Sequence, residues 1–398
     1  MKYVLLIGGG MADEALEVLE NRSPLEAADV PHLDRIAAAG RTGLIQTIPA
    51  GLEPAAEVAV ATFLGLSPAD CRLARGPLEA FGIGLKPEGD RLALRFNLVH
   101  LFTDYQHLIL ADHTAGIESD EEARPFVEAL EKDLGGDELE FLHVGEYRGL
   151  MLWRGGPDGI GLTPPDQMLG AEVGANMPKG EGSRKLHQIY NDAQMVLRAH
   201  PLNDQRSRSG QTTVNSIWAF GAARPAHPAP CEETFSQKWG LRAGILAKAA
   251  ALKGLASACG MDRVQAPPGG LSAEAWADAA LDYLRGADLL FVHCDAGDRA
   301  AHRMDAEGKL QAVERFDSLA GALWDRLGSL GESRLAVLSD HRTSPLDGKH
   351  ASAPVPIAIC GDGIERDRPK EYDERLLVRG SLRITDGRRL LKHVLEGG

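Results

Sequence analysis

Cysteine is scarce in this chain. Five residues among 398 (Cys71, Cys231, Cys259, Cys294 and Cys360) are scattered, odd in number and form no C-x-x-C pair. That usage excludes a disulfide framework or a zinc knuckle and fits buried thiols in a reducing cytoplasm. Basic residues are also short: 43 Lys and Arg face 57 Asp and Glu, a formal net charge of −14. A surface of that sign excludes general nucleic-acid binding. An anionic ligand would have to be met locally, by metal ions or arginines, because the overall field repels it. Apolar runs of membrane length are missing too. The opening MKYVLLIGGG has one lysine and, after it, five apolar or aromatic residues before its glycines. That is too little for a signal peptide or a span, and it reads as a buried first strand. Internal repeats and low-complexity segments are absent.

What is present is an ordinary globular composition, 44% hydrophobic and 25% charged. The length suggests two or three domains. Residues 3–7 form a continuous apolar run ending in glycines, as a central parallel strand does. A helix at 33–39, a strand at 43–48 and a helix at 57–64 follow, giving a βαβα rhythm. From about 90 the character changes. Alternating segments at 91–99 and 138–144, with 147–153 paired to the latter across Gly145-Glu146, predict strands. A helix is expected at 182–199 and an exposed polar loop at 203–213. After about 240 the α/β pattern resumes: helices at 241–259, 272–285, 309–327 and 387–395, and strands at 288–293, 334–338 and 355–360. These segments predict an α/β fold with a doubly wound, mostly parallel sheet, split by a smaller α+β domain. The expected boundaries are 1–88, 89–232 and 233–398.

Three predicted strands end in polar clusters: the Gly8-Gly9-Gly10 turn, the stretch before Asp298, and Asp340-His341. Ligands of an open parallel sheet bind at the carboxyl ends of its strands, so these clusters can meet. Asp298 and His302 are one helical turn apart and can serve one cation. His350 lies on a turn-rich stretch beyond them. Mixed carboxylate and imidazole donors suit Mn, Zn or Fe better than Mg or Ca.

The order Asp-x-x-x-His, Asp-His, His is similar to that of the alkaline phosphatase superfamily. The chain resembles its archaeal-type cofactor-independent phosphoglycerate mutases over nearly its whole length. The likeness is carried by LIGGGMAD (6–13), SPLEAADVPHLDRIAAAGRTGL (23–44), GLEPAAEVAVATFLGLSP (51–68), ARGPLEA (74–80), NSIWAFG (215–221), HCDAGDRAAH (293–302), SDHRTS (339–344) and KHASAPVP (349–356). The resemblance implies an alkaline-phosphatase-like domain with an inserted second domain. It implies one metal on Asp298, His302 and His350. A second would sit on Asp340, His341, a motif aspartate and a motif serine. That serine is also the nucleophile that carries the phosphoryl group between the hydroxyls of phosphoglycerate. Arg75, Arg95 and Arg148 stand in motifs where the family has arginines, and imply substrate binding.

The chain departs from that pattern at two places. The motif aspartate is Gly9 and the motif serine is Ala56, with Ala55 and Glu57 beside it. A methyl group neither attacks phosphorus nor binds a metal. Pro164-Pro165-Asp166 also lacks the histidine that often follows such prolines in the family. The expectation is therefore a mutase-like protein, inactive or greatly impaired, holding one divalent ion, Mn or Zn, rather than two. The alternatives are a non-catalytic partner protein that binds a metal or a phosphorylated metabolite, and a repurposed metal-dependent phosphohydrolase or phosphotransferase. Glu57 and Thr62 are the neighbours that could stand in for the nucleophile. A phosphorylated small molecule, a protein partner or a second copy of the chain are the expected partners; nucleic acid and membrane are not.

Overall fold

The structure is a computed structural model that describes residues 1–67, 70, 74–86, 89–224, 233–375 and 377–397. It divides into two compact units. The first comprises Met1–Leu73, Ala229–Lys248 and Leu255–Gly398; the second comprises Ala74–Pro228 and Ala249–Gly254.

The first unit is built on an eight-stranded sheet. Across it run Leu382–Ile384, Arg41–Ile45, Val355–Gly361, Ser333–Ser339, Lys2–Gly8, Leu289–Cys294, Ala243–Ala247 and Asp262–Gln265. Only Val355–Gly361 runs antiparallel to its neighbours. The fold is thus α/β with a mostly parallel sheet. Lys2–Gly8 lies between two parallel partners, and its last residue is level with both Cys294 and Ser339. That register makes the three chain segments leave the sheet side by side at one edge.

The central strands are apolar and buried throughout, because helices cover both faces of such a sheet. One core cluster joins the sheet to helices Pro31–Ala39, Ala273–Leu284 and Ala306–Leu327. The 306–327 helix starts at Asp305, whose side chain accepts a hydrogen bond from the Gly308 amide at 2.8 Å. It buries Ala312, Val313, Phe316, Leu319, Ala320 and Leu323. Each fully buried leucine there contributes about 1.5–3 kcal/mol. Gly321 allows the close crossing of the 31–39 helix, since a Cβ at that position would lie 2.5 Å from the His32 ring.

The second unit is α+β. The 14-residue strand Arg91–Asp104 pairs antiparallel with His107–Asp112, Arg148–Arg154 and Ser216–Ala223. Leu139–Gly145 and Arg148–Arg154 form the expected hairpin. Its core packs helices Asp120–Leu134 and Ser183–Arg198 against the sheet. The helix Arg75–Gly82 belongs to this unit and not to the segment before it. It packs on Arg91–Asp104, where a Cβ at Gly76 would come within 2.2 Å of the Ala93 carbonyl oxygen.

Three local expectations are corrected. Residues 241–259 are not one helix: Ala243–Ala247 is a strand and Ala250–Ala258 a helix. The AGILA run has two parallel partners to pair with, and that outweighs its helix propensity. Residues 203–213 are not all loop, because Pro201–Arg208 is a helix with proline in its first turn and His200 capping the Leu202 amide at 3.3 Å. Its Asn203 is buried and bonds the carbonyls of Leu197 and Val214. The second strand is Arg41–Ile45, earlier than 43–48. Cys259, Cys294 and Cys360 are buried, as expected, and Cys71 and Cys231 lie outside the described residues.

Candidate metal centre

The centre forms at the sheet edge where the three parallel strands end. The Gly8–Gly10 turn is stitched to the segment after Cys294: the Gly9 amide donates to the Cys294 carbonyl at 2.7 Å, and the Asp298 amide donates to the Gly9 carbonyl at 2.8 Å. Gly10 has φ +58, and a Cβ there would lie 2.6 Å from Thr343 Oγ1 and 2.7 Å from Asp298 Oδ1. Only glycine fits this backbone and this crowding.

Asp298 and His302 stand one turn apart on the short helix Ala296–His302. His350 returns to them through a two-residue antiparallel pairing of His350–Ala351 with Arg342–Thr343. The Nε2 atoms of His302 and His350 are 3.0 Å apart. His302 Nε2 is 3.3 Å from Asp298 Oδ2, and His350 Nε2 is 3.2 Å from Asp298 Oδ1. Donors about 2.1 Å from a tetrahedral ion would stand about 3.4 Å from one another. The triangle therefore has the dimensions of one face of a coordination sphere.

Each ring is turned the way such a sphere requires. His302 Nδ1 donates to the Gly348 carbonyl at 2.8 Å, and His350 Nδ1 donates to the Pro54 carbonyl at 2.9 Å. A carbonyl only accepts, so Nδ1 of each ring carries a proton and, when the ring is neutral, its Nε2 lone pair faces the centre. In His341, Nδ1 lies 3.1 Å from Thr343 Oγ1 and 3.3 Å from the Arg342 carbonyl. The Thr343 hydroxyl gives its single proton to Asp298 Oδ1 at 2.6 Å, so His341 Nδ1 is again the donor. Donor atoms of Asp298, His341 and His350 all lie within 4.8 Å of one another. These residues fit a divalent cation by donor type, spacing and ring orientation.

Asp340 is fully buried beside them. Its Oδ1 accepts from the Gly10 and His341 amides at 2.9 and 2.7 Å, and its Oδ2 faces His293 Nε2 at 2.8 Å. Burial alone would raise the pKa of both aspartates. When protonated, the His302 and His350 rings outweigh it at Asp298, holding that carboxyl well below the usual range. His341 and His293 do the same at Asp340. Burial lowers the pKa of His341, which favours the neutral, lone-pair-bearing ring.

Sequence reasoning passed over three residues that support the centre. His293 opens the HCDAGD motif and pairs with Asp340. Thr343, in SDHRTS, links Asp298 to His341. Lys309 is wholly buried, and its ammonium donates to the Thr343 carbonyl at 2.5 Å and to Asp13 Oδ2 at 3.0 Å. The available signal was a lysine on the apolar stripe of a helix, in register with Val313 and Phe316.

The two departing positions lie at the same edge. Gly9 has no room to spare, since a Cβ would meet His293 Cε1 and the Asp295 Cα at 3.1 Å and the Cys294 carbonyl at 3.2 Å. Ala56 is the first residue of the helix Ala56–Phe63, two residues from the Pro54 carbonyl that holds His350. Thr62 is no substitute for a serine there: it is buried, and its hydroxyl donates to the Val58 carbonyl at 2.8 Å.

The three arginines are all in the second unit. Arg75 and Arg95 hold their guanidinium groups 5.7 and 5.1 Å from the centre of the Phe220 ring. Arg95 is buried and paired with Glu79 at 3.0 Å; burial lowers its pKa and Glu79 opposes that. Arg148 bonds Glu146 at 2.8 Å and lies over Tyr147.

A family profile described as 2,3-bisphosphoglycerate-independent phosphoglycerate mutase matches residues 37–203. The enzyme of that name from Methanosarcina barkeri is 36% identical over 393 residues, covering 96% of each chain. The second such mutase of Methanothermobacter thermautotrophicus is 33% identical over 403 residues, covering 100% of this chain and 98% of its own. This chain belongs to the 2,3-bisphosphoglycerate-independent phosphoglycerate mutase family. Among solved structures it is similar to a Pyrococcus horikoshii protein, with 26% identity, a TM-score of 0.74, and 99% and 96% of the two chains covered. The cofactor-independent phosphoglycerate mutase of Thermoplasma acidophilum shares the fold, at 22% identity, a TM-score of 0.56 and full coverage of both chains.

Proposed function

We propose that this member of the phosphoglycerate mutase family keeps a divalent-metal centre on Asp298, His302 and His350 but interconverts 3- and 2-phosphoglycerate greatly slowed or not at all. The observation that carries this reading is Ala56. The loop before it still reaches the metal centre through Pro54, yet the residue offers no oxygen to accept a phosphoryl group. Gly9 removes a carboxylate at the same edge, and the tight space around it argues that the surroundings have closed over that position. Mixed imidazole and carboxylate donors favour Mn or Zn, and the donor set supports one ion. A bound ion would supply Lewis acidity toward an anionic oxygen. The chain's own residues contribute positioning: three fixed histidine tautomers and a carboxylate held ionised by its neighbours. Arg75, Arg95 and Arg148 remain as the groups for a phosphorylated small molecule, in a protein that works in the cytoplasm as a binder or partner of another chain.

The test is an assay of purified, Mn-loaded protein on 3-phosphoglycerate, with metal content measured by mass spectrometry. About one ion per chain and turnover at background level are expected. Turnover at ordinary enzymatic rates overturns the reading.

A further inference from the structure

We infer that Lys309 is a positioning residue for the metal centre: its buried ammonium holds the Thr343 main chain so that the Thr343 hydroxyl can orient Asp298 and His341. This rests on the metal-binding reading above. It goes further in giving a role to a charge whose hydrogen bonds go to none of the candidate ligands.

Lys309 is wholly buried on the face of the Ala306–Leu327 helix that also buries Val313 and Phe316. On that stripe an apolar side chain would avoid the cost of burying an ion, and a buried ion pair adds little net stability over well-packed apolar groups. The ammonium therefore calls for a reason beyond packing, and its acceptors supply one. Its three protons face the Thr343 carbonyl at 2.5 Å, Asp13 Oδ2 at 3.0 Å and the Ala12 carbonyl at 3.4 Å. All three acceptors belong to the two turns that build the centre. One turn carries Asp340 and His341; the other carries Gly10, whose amide bonds Asp340. The turns meet where Met11 and Ala12 each bridge to Arg342, and where the Thr343 amide donates to the Ala12 carbonyl at 3.4 Å. Lys309 closes that junction from the helix side.

Thr343 passes the constraint to the ligands. Its hydroxyl donates to Asp298 Oδ1 at 2.6 Å and accepts from His341 Nδ1 at 3.1 Å. A hydroxyl so placed sets which way the carboxylate turns and which His341 nitrogen faces the centre. It does both only while the main chain beneath it is fixed, and that main chain is bonded to Lys309 through its carbonyl. Asp13 has the complementary task of meeting the ammonium charge. Its own amide is held by Glu374 Oε1 at 3.0 Å, and Glu374 Oε2 takes the Ser23 hydroxyl. One line of contacts thus runs from Glu374 through Asp13, Lys309 and Thr343 to Asp298, all within the first unit.

The experiment titrates metal-free, full-length protein with Zn by calorimetry and with Co by visible absorption, and follows urea unfolding of the same samples. Lys309→Met should weaken Zn binding by about 10–100-fold, the range for losing an outer partner, and should shift the cobalt bands. Lys309→Met with Asp13→Asn removes both buried charges. It should regain part of the stability but none of the affinity, and it serves as the test if Lys309→Met alone does not fold. Thr343→Val should weaken binding by a similar factor, and adding Lys309→Met to it should lose no more than about threefold further. If Lys309→Met or its combination with Asp13→Asn binds Zn within about threefold of the parent, with the cobalt spectrum unchanged, the inference falls while the metal reading stands. Losses from Lys309→Met and Thr343→Val that multiply in full also overturn it, because the lysine then does not act through Thr343. A parent that binds no ion overturns both.

Discussion

The Nε2 atoms of His302 and His350 face each other at 3.0 Å while both Nδ1 protons are given to backbone carbonyls. Two lone pairs do not rest at that distance unless a proton or a cation lies between them. A bound divalent ion should therefore stabilise the fold. At a free concentration a hundred times the dissociation constant, one site adds about 2.7 kcal/mol. Addition of Mn or Zn to chelator-treated protein should raise the melting temperature by several degrees, and His350→Ala should abolish the rise. Identical melting curves for parent and variant would count against the centre.

The two departing positions should respond differently to repair. Ala56 is only partly buried at a helix start, so Ala56→Ser should fold like the parent. Gly9→Asp pushes a Cβ against backbone atoms at 3.1–3.2 Å and should cost roughly 1–3 kcal/mol. Urea unfolding of the two variants reads this difference. Mutase activity in Ala56→Ser alone should stay near background, and appreciable turnover there would show that Gly9 is no obstacle.

Lys309 should be the most sensitive charged residue away from the metal. Its ammonium is sealed between Asp13 and the Thr343 carbonyl. Lys309→Met leaves Asp13 buried without its cation and should destabilise by about 3–5 kcal/mol. Pairing it with Asp13→Asn should recover part of that loss. No recovery in the double variant would mean that the lysine acts through packing and not through the pair.

Asp317 offers a pH test remote from the metal centre. It accepts the Leu33 amide at 2.7 Å at the start of the 31–39 helix, yet burial raises its pKa. A carboxyl raised in the folded state gives its stability below the unfolded value of about 3.9 and loses it as pH rises through the folded value. Asp317→Asn keeps an oxygen for Leu33 and removes the titration. The fall in stability just above pH 4 should become shallower, with no loss at pH 7. Asp34, raised in the same direction by its own burial, keeps part of the slope. A profile unchanged by Asp317→Asn would refute the assignment.

The central strands and the convergence of Asp298, His302, Asp340, His341 and His350 were legible in the sequence because both depend on local pattern. A run such as LLFVHC can only be a buried strand beside parallel partners, and the polar residues after it can only leave at the sheet edge. The strand Ala243–Ala247 was not legible, since alanine and leucine favour a helix until a neighbouring strand exists to pair with. The hydrogen-bond partners of Asp340 and His341 were hidden for a related reason. Adjacent residues differ only in which partners surround them, and those partners, His293 and Thr343, come from separate segments. Lys309 shows the limit most plainly: its cation is acceptable in the core only because Asp13, nearly three hundred residues earlier, is there to meet it.

The hydrogen bond from His350 to Pro54 is made to a main-chain oxygen. Whatever side chains follow at 55, 56 and 57, that oxygen remains. Substitution at these positions is thus invisible to the histidine, whose ring orientation is set by the main chain alone.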